Sequence, residues 1–136
     1  MPCRAWIVFA LCLAAGAQNR PRVPTFPPDL IAHDSPIRDL AKLDTSHVRV
    51  EEENERVRVL RITLGPGESL PMHDARNGVL VCVTACRLTV TNPVGYTFEI
   101  TLGAGRTRWM EAKRHRITNN GAAAEMIYIE AKQPAR

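Results

Sequence analysis

Two histidines carry most of the chemistry this chain can offer. His73 follows Gly67 by six positions, and His115 opens the stretch Arg116-Ile117-Thr118-Asn119. Each lies in a short β-type run entered through a glycine turn, Gly65-Pro66-Gly67 for the first and Gly103-Ala104-Gly105 for the second. Strands far apart in sequence that each bring one imidazole inward are how small β-barrels assemble a polar pocket. Such a pair could hold a divalent transition metal or hydrogen-bond a small molecule. A lone strand histidine more often does no more than satisfy itself inside the barrel mouth, and of these readings the metal-free one is favoured. His33 and His47 lie outside the pattern and are expected to be solvated.

Cys82 and Cys86 are the second candidate pair. They sit in Val79-Leu80-Val81-Cys82-Val83-Thr84-Ala85-Cys86-Arg87-Leu88-Thr89-Val90, two β-type runs joined by a short turn. With Val83-Thr84-Ala85 as the loop, the cysteines face each other across a hairpin within bridging reach; with Thr84-Ala85 alone they point to opposite faces. Cysteine three residues from cysteine on opposing strands is a poor metal knuckle.

These side chains must be positioned by a small domain, because 136 residues with 45% hydrophobic content fit one domain rather than two. The N-terminus reads as a secretory signal over residues 1–17: Arg4, a nearly unbroken apolar run, then Ala15-Gly16-Ala17. Its apolar stretch is shorter than the roughly 20 residues that cross a bilayer, so no stable membrane insertion is expected after its removal. The remaining 136 − 17 = 119 residues carry +4 − 1 = +3, since only Arg4 departs. That balance is too small to argue for nucleic acid, and the basic residues Arg56, Arg58 and Arg61 sit beside Glu51, Glu52, Glu53 and Glu55 in a mixed-charge run. A secreted or periplasmic location also permits a disulfide between the two cysteines that stay.

Residues 18–46 form an arm or linker. Prolines 21, 24, 27, 28 and 36 exclude a regular helix or central strand over most of it. A short helix from Pro36 to Leu43, with Ser35 as its N-cap, is allowed by the sequence, and Leu40 and Leu43 give it something to bury. From His47 the pattern becomes about eight short strands with no convincing long helix. The clearest runs are Val57 to Leu64, Leu88 to Thr91, Thr97 to Leu102, His115 to Asn119 and Glu125 to Glu130. An all-β sandwich closed into a barrel follows.

Gly67-Glu68-Ser69-Leu70-Pro71-Met72-His73 resembles the opening of the first cupin motif, and Trp109-Met110-Glu111-Ala112-Lys113-Arg114-His115-Arg116-Ile117-Thr118-Asn119 resembles the second. The resemblance spans roughly residues 48 to 132. It implies a single cupin-type β-barrel (a double-stranded β-helix, or jelly roll) over residues 47–132, with a tail at 133–136. It also implies a pocket lined by His73, Ala75, Leu80, His115 and Asn119. Two of the family's usual four metal ligands are missing: Ala75 replaces the second histidine, and Gly78-Val79-Leu80 replaces the glutamate region. Iron, manganese, nickel or zinc bound by His73 and His115 would need a further ligand, with Asp74 (if a bulge turned it inward) and Glu111 as candidates. Trp109, Met110 and Tyr128 are readable as cavity lining or as core, and Arg61 as an inward cation or as surface.

Three functions stay open: a non-catalytic small-molecule-binding barrel, which is favoured; a metal-dependent oxygenase or isomerase using His73 and His115; and an assembly protein. In the last, the Pro-rich arm and an exposed sheet edge would pair with a second subunit, as the resemblance implies for barrels that often form homodimers.

Overall fold

The computed structural model describes residues 37–133. The candidate signal (1–17), the arm's residues 18–36 with Ser35, Pro36 and His33, and the tail residues 134–136 lie outside the described residues. Among the described residues one helix, α1 (Leu40–Leu43), precedes nine strands: β1 (Val48–Glu53), β2 (Val57–Leu64), β3 (Ser69–Ala75), β4 (Gly78–Cys82), β5 (Cys86–Thr91), β6 (Thr97–Leu102), β7 (Thr107–Met110), β8 (Lys113–Asn119) and β9 (Ala124–Ala131). They form two antiparallel sheets, ordered β1-β2-β9-β4-β7 and β3-β8-β5-β6.

The strands alternate as a half-buried sheet must. In β2 every second residue, Arg58, Leu60, Ile62 and Leu64, is buried, and in β9 the same holds for Ala124, Met126, Tyr128 and Glu130. Leu70, Leu88, Val90 and Ile100 supply the facing layer from the second sheet. Strands β9 and β4 approach so closely that Gly78 has no room for a side chain: a Cβ there would run into the carbonyl of Ile129. Gly67, at φ +75°, makes the turn between β2 and β3 in a conformation that strains any other residue.

Residues 79–90 do not form a hairpin. β4 pairs with β9 and β7, whereas β5 pairs with β8 and β6, so the chain leaves one sheet and enters the other between Cys82 and Cys86. Neither hairpin register considered from the sequence applies. The two cysteines are nonetheless bridged, with Cα atoms 5.9 Å apart, and the disulfide closes the corner where the sheets meet. The hairpin lies one step later, between β5 and β6, where Asn92 Oδ1 accepts from the backbone N–H of Val94 (3.1 Å) and Tyr96 (2.9 Å).

Helix α1 starts later than the Pro36 expectation. Asp39 is its N-cap, with its carboxylate accepting from Ala41 N at 3.1 Å. Leu40 is buried, while Ile37 and Leu43 stay exposed. This single turn packs on β3 and β1 and sets Leu40 over the interior, so the last residues assigned to the arm belong to the barrel's packing.

Candidate functional site

His73 on β3 and His115 on β8 are direct neighbours in the antiparallel ladder. Both face inward and are 3% and 4% exposed, and their rings meet edge to face, 4.8 Å between centroids at 81°. The ladder is irregular between Leu70 and His73, and beyond that irregularity His73 and Ala75 share the inner face while Asp74 points out.

The ring of His73 is oriented by a hydrogen bond of 2.7 Å between Nδ1 and the carbonyl of Pro71. A carbonyl only accepts, so Nδ1 carries the proton and Nε2 keeps its lone pair. Burial holds His73 below its usual titration range, partly offset by that bond. His115 is lowered to about 4 by burial, then by the neighbouring His73 and by Lys113. Both rings are neutral at pH 7. Among the described residues neither ring nitrogen of His115 has a hydrogen-bond partner, and since no buried side-chain nitrogen or oxygen is left unsatisfied there, these nitrogens border the cavity and are not sealed away.

The space they face is small, about 20 Å³, which is room for about one water. Its walls include Leu40, Leu80, Met110 and Tyr128 beside Ala75 and Glu130. Met110 and Tyr128 therefore line the cavity, while Trp109 is 54% exposed outside it.

Glu130 was not singled out by sequence reasoning. It is 2% exposed and accepts from Arg58 Nε at 2.6 Å. Arg58 lies directly opposite it in the β2–β9 ladder and donates from Nη1 and Nη2 to the two carboxylate oxygens of Asp39, at 3.0 and 2.9 Å. The cap of α1 is thus tied through Arg58 to an acid in the cavity wall. The available signal was parity: Arg58 shares the face of Leu60 and Ile62, and Glu130 that of Met126 and Tyr128.

Several expectations are corrected. Asp74 accepts from Arg114 Nε (2.6 Å) and Nη2 (2.9 Å) and from the backbone N–H of Arg38 (2.8 Å), on the outer side. Glu111 is exposed and accepts from Trp109 Nε1 at 3.0 Å. Of the two placements read for Arg61, the favoured surface one holds: it projects outward between Glu51 and Glu125. His47 is not simply solvated: its ring joins Asp44 (2.8 Å) and Glu68 (3.0 Å).

Asn119 lies away from the cavity and makes no bond to His115. Fully buried, it donates from Nδ2 to the carbonyls of Leu64 (3.1 Å), Gly65 (3.0 Å) and Ala122 (2.9 Å), and its Oδ1 accepts from Gly121 N (3.1 Å). It clamps the turns at the ends of β2 and β8. Asn119→Ala is expected to lower the unfolding free energy by about 2–3 kcal/mol, because those carbonyls lose their donor without gaining water. Urea unfolding measures this, and it should leave any ligand affinity of the folded protein unchanged.

The donor set does not fit a resident transition metal. Among the described residues no three of His, Cys, Asp and Glu converge. Position 75 is a methyl group, position 80 is leucine, and the carboxylate of Glu130 is engaged by Arg58. Two imidazoles alone leave most coordination positions to solvent, in a space with room for about one water.

No protein-family model and no curated protein matches the chain. Solved structures do. A cupin domain from Bordetella pertussis is 26% identical with a TM-score of 0.58, over 63% of this chain and 92% of that one. An RmlC-like cupin family protein with a double-stranded β-helix fold from Methanocaldococcus jannaschii is 16% identical with a TM-score of 0.52, over 74% of this chain and 94% of that one. A cupin superfamily protein from Desulfitobacterium hafniense is 13% identical with a TM-score of 0.51, over 74% and 93%. With two facing antiparallel sheets and inward histidines at the two motif positions, the chain belongs to the cupin superfamily.

Proposed function

We propose that this is an exported, non-catalytic cupin that binds a small molecule through His73 and His115. The observation that carries the reading is His115: a side chain 4% exposed, lining an otherwise apolar slot, with one N–H and one lone pair unused. A guest that both donates and accepts can bond to both where they border the slot. His73 Nε2 offers a second acceptor.

The chemistry of the walls selects the guest. With both rings neutral and the charge of Glu130 balanced by Arg58, the slot favours an uncharged hydroxyl, amide or carbonyl group on an apolar body. A space of about 20 Å³ is far below the roughly 300–1,000 Å³ of ordinary ligand pockets. Anything larger than a polar head group must displace Leu40, and α1 is a single turn. Export rests on the leader-like residues 1–17.

The test is thermal unfolding of metal-free protein against matched alcohols, amides, carboxylates and amines. A neutral ligand at 100 times its Kd is expected to add about 2.7 kcal/mol, which raises Tm by on the order of 10 °C. His115→Leu should abolish the shift. Ligands that act equally on the leucine variant, or that are all charged, would count against the proposal.

A further inference from the structure

A second concave site opens at one end of the barrel and shares the wall residue Ala75 with the histidine slot. It is a groove of about 1300 Å³, bounded by Glu55 and Arg56 from the β1–β2 turn, Arg76 and Asn77 from the β3–β4 turn, Ala112 from the β7–β8 turn, and Lys132 just past β9.

Hydrogen bonds fix the backbone beneath these side chains. Arg56 O accepts from Lys132 N and Asn77 O from Ala131 N, both at 2.8 Å, and Arg76 O accepts from the Tyr128 hydroxyl. Asn77 Oδ1 accepts from Ala112 N at 2.6 Å. That bond sets the orientation of the amide and leaves Nδ2, which only donates, without a partner among the described residues.

The charges of the groove are unevenly matched. Lys132 is paired with Glu53 at 2.9 Å. Arg56 and Arg76 form no ion pair or side-chain hydrogen bond among the described residues, and the carboxylate of Glu55, also unpaired there, is what remains to oppose them. Arg56 lies directly opposite Lys132 where the β2–β9 ladder continues past Val57 and Ala131, so the cations gather at one end of the sheet.

We infer that this groove binds an oxyanion group, a phosphate, sulfate or carboxylate borne by a solute, through Arg56, Arg76 and Asn77 Nδ2. A guanidinium presents two parallel N–H groups to such a group, and two guanidiniums favour a divalent anion over a monovalent one. Nucleic acid fits poorly, because among the described residues no aromatic side chain lines the groove for bases to stack on. The slot takes an uncharged group between neutral rings and the groove takes a charge, so this inference stands apart from the ligand of the slot.

Isothermal titration of the full chain with inorganic phosphate, sulfate and malonate, near neutral pH and at fixed ionic strength in chloride, tests this. At least one of the three is expected to bind once per chain, and their ranking identifies the group. Arg56→Ala and Arg76→Ala should each weaken binding about tenfold through the loss of charge-assisted hydrogen bonds, and the double variant should abolish it. Glu55→Gln should tighten it about threefold by removing the opposing charge. All three positions are exposed, so the variants should keep the far-ultraviolet spectrum of the wild type. His115→Leu should leave anion binding unchanged, and its loss there would place the anion in the slot and overturn the inference. No binding of any of the three anions would overturn it as well. So would equal affinity in the wild type and the double arginine variant, the mark of diffuse attraction to a basic surface.

Discussion

Replacing Arg58 with alanine is expected to lower the unfolding free energy by about 3–5 kcal/mol, the cost of leaving a buried charge without its partner. Glu130, 2% exposed, would keep its carboxylate with no other ion-pair partner among the described residues, and Asp39 would lose both of its bonds to the guanidinium. Glu130→Gln should cost less, because Arg58 retains Asp39 and an amide oxygen can still accept. Arg58→Met combined with Glu130→Met should recover much of the loss, since apolar residues of similar volume often replace a buried ion pair at little cost. Urea unfolding of the four proteins gives the comparison. Equal stability of wild type and Arg58→Ala would show that the network contributes nothing and that α1 is held by Leu40 alone.

Acidification provides the second large effect. His115 titrates at about 4 in the fold, against an ordinary value of 6.5. The unfolded chain therefore takes up this proton first, and stability must fall as pH drops from about 6.5 to about 4. The gap between the two values corresponds to about 3 kcal/mol lost across that window. His73, also held low by burial, adds to the loss in the same direction. Of the other titrating groups, Glu51 and Glu53, held low by Arg61 and Lys132, begin to lose their contributions only at the acid end of the window. His47 is raised by its bond to Asp44, so its contribution is complete below 6.5 and is lost only as pH rises. Asp39 and Asp74 are held low by Arg58 and Arg114, and Asp44 is held low by His47 and Ser46 against its burial, so their contributions fall away only in stronger acid. His115→Leu should flatten most of the loss between pH 6.5 and 4 in a pH series of unfolding curves. An unchanged slope in that variant would mean that His115 is not buried in its neutral form.

Both effects arise from residues that alternation places, and alternation is also what made the fold legible. Val57 to Leu64, Thr97 to Leu102 and Glu125 to Glu130 are strands within a residue of where the pattern put them. Gly65-Pro66-Gly67 does lead into the strand of His73, whereas Gly103-Ala104-Gly105 leads into β7 and His115 lies one strand later; the pairing of β3 with β8 is what sets the two rings side by side.

What local pattern does not carry is partner choice. Residues 79–90 have the composition of a hairpin, yet which sheet each strand joins depends on β7, β8 and β9, far along the chain. The disulfide was therefore within reach of sequence reasoning, while the geometry that permits it was not. Asn119 shows a related limit. The resemblance placed it in the pocket, but its amide satisfies turn carbonyls 54 and 55 residues away. Glu130 and Arg58 were legible in principle, as opposite charges at core parity, but a charged residue on a strand is ordinarily assigned to the outside.

The account centres on a barrel that binds its ligand through two neutral histidines without a resident metal. Metal content per chain, measured by plasma mass spectrometry on mature protein purified without chelator or affinity-resin metal, tests it directly when compared with the His73→Ala, His115→Ala variant. The account predicts no stoichiometric iron, manganese, nickel or zinc in either protein. Near-stoichiometric metal in the wild type that is lost in the variant would contradict it and would move the metal-dependent enzyme to the front.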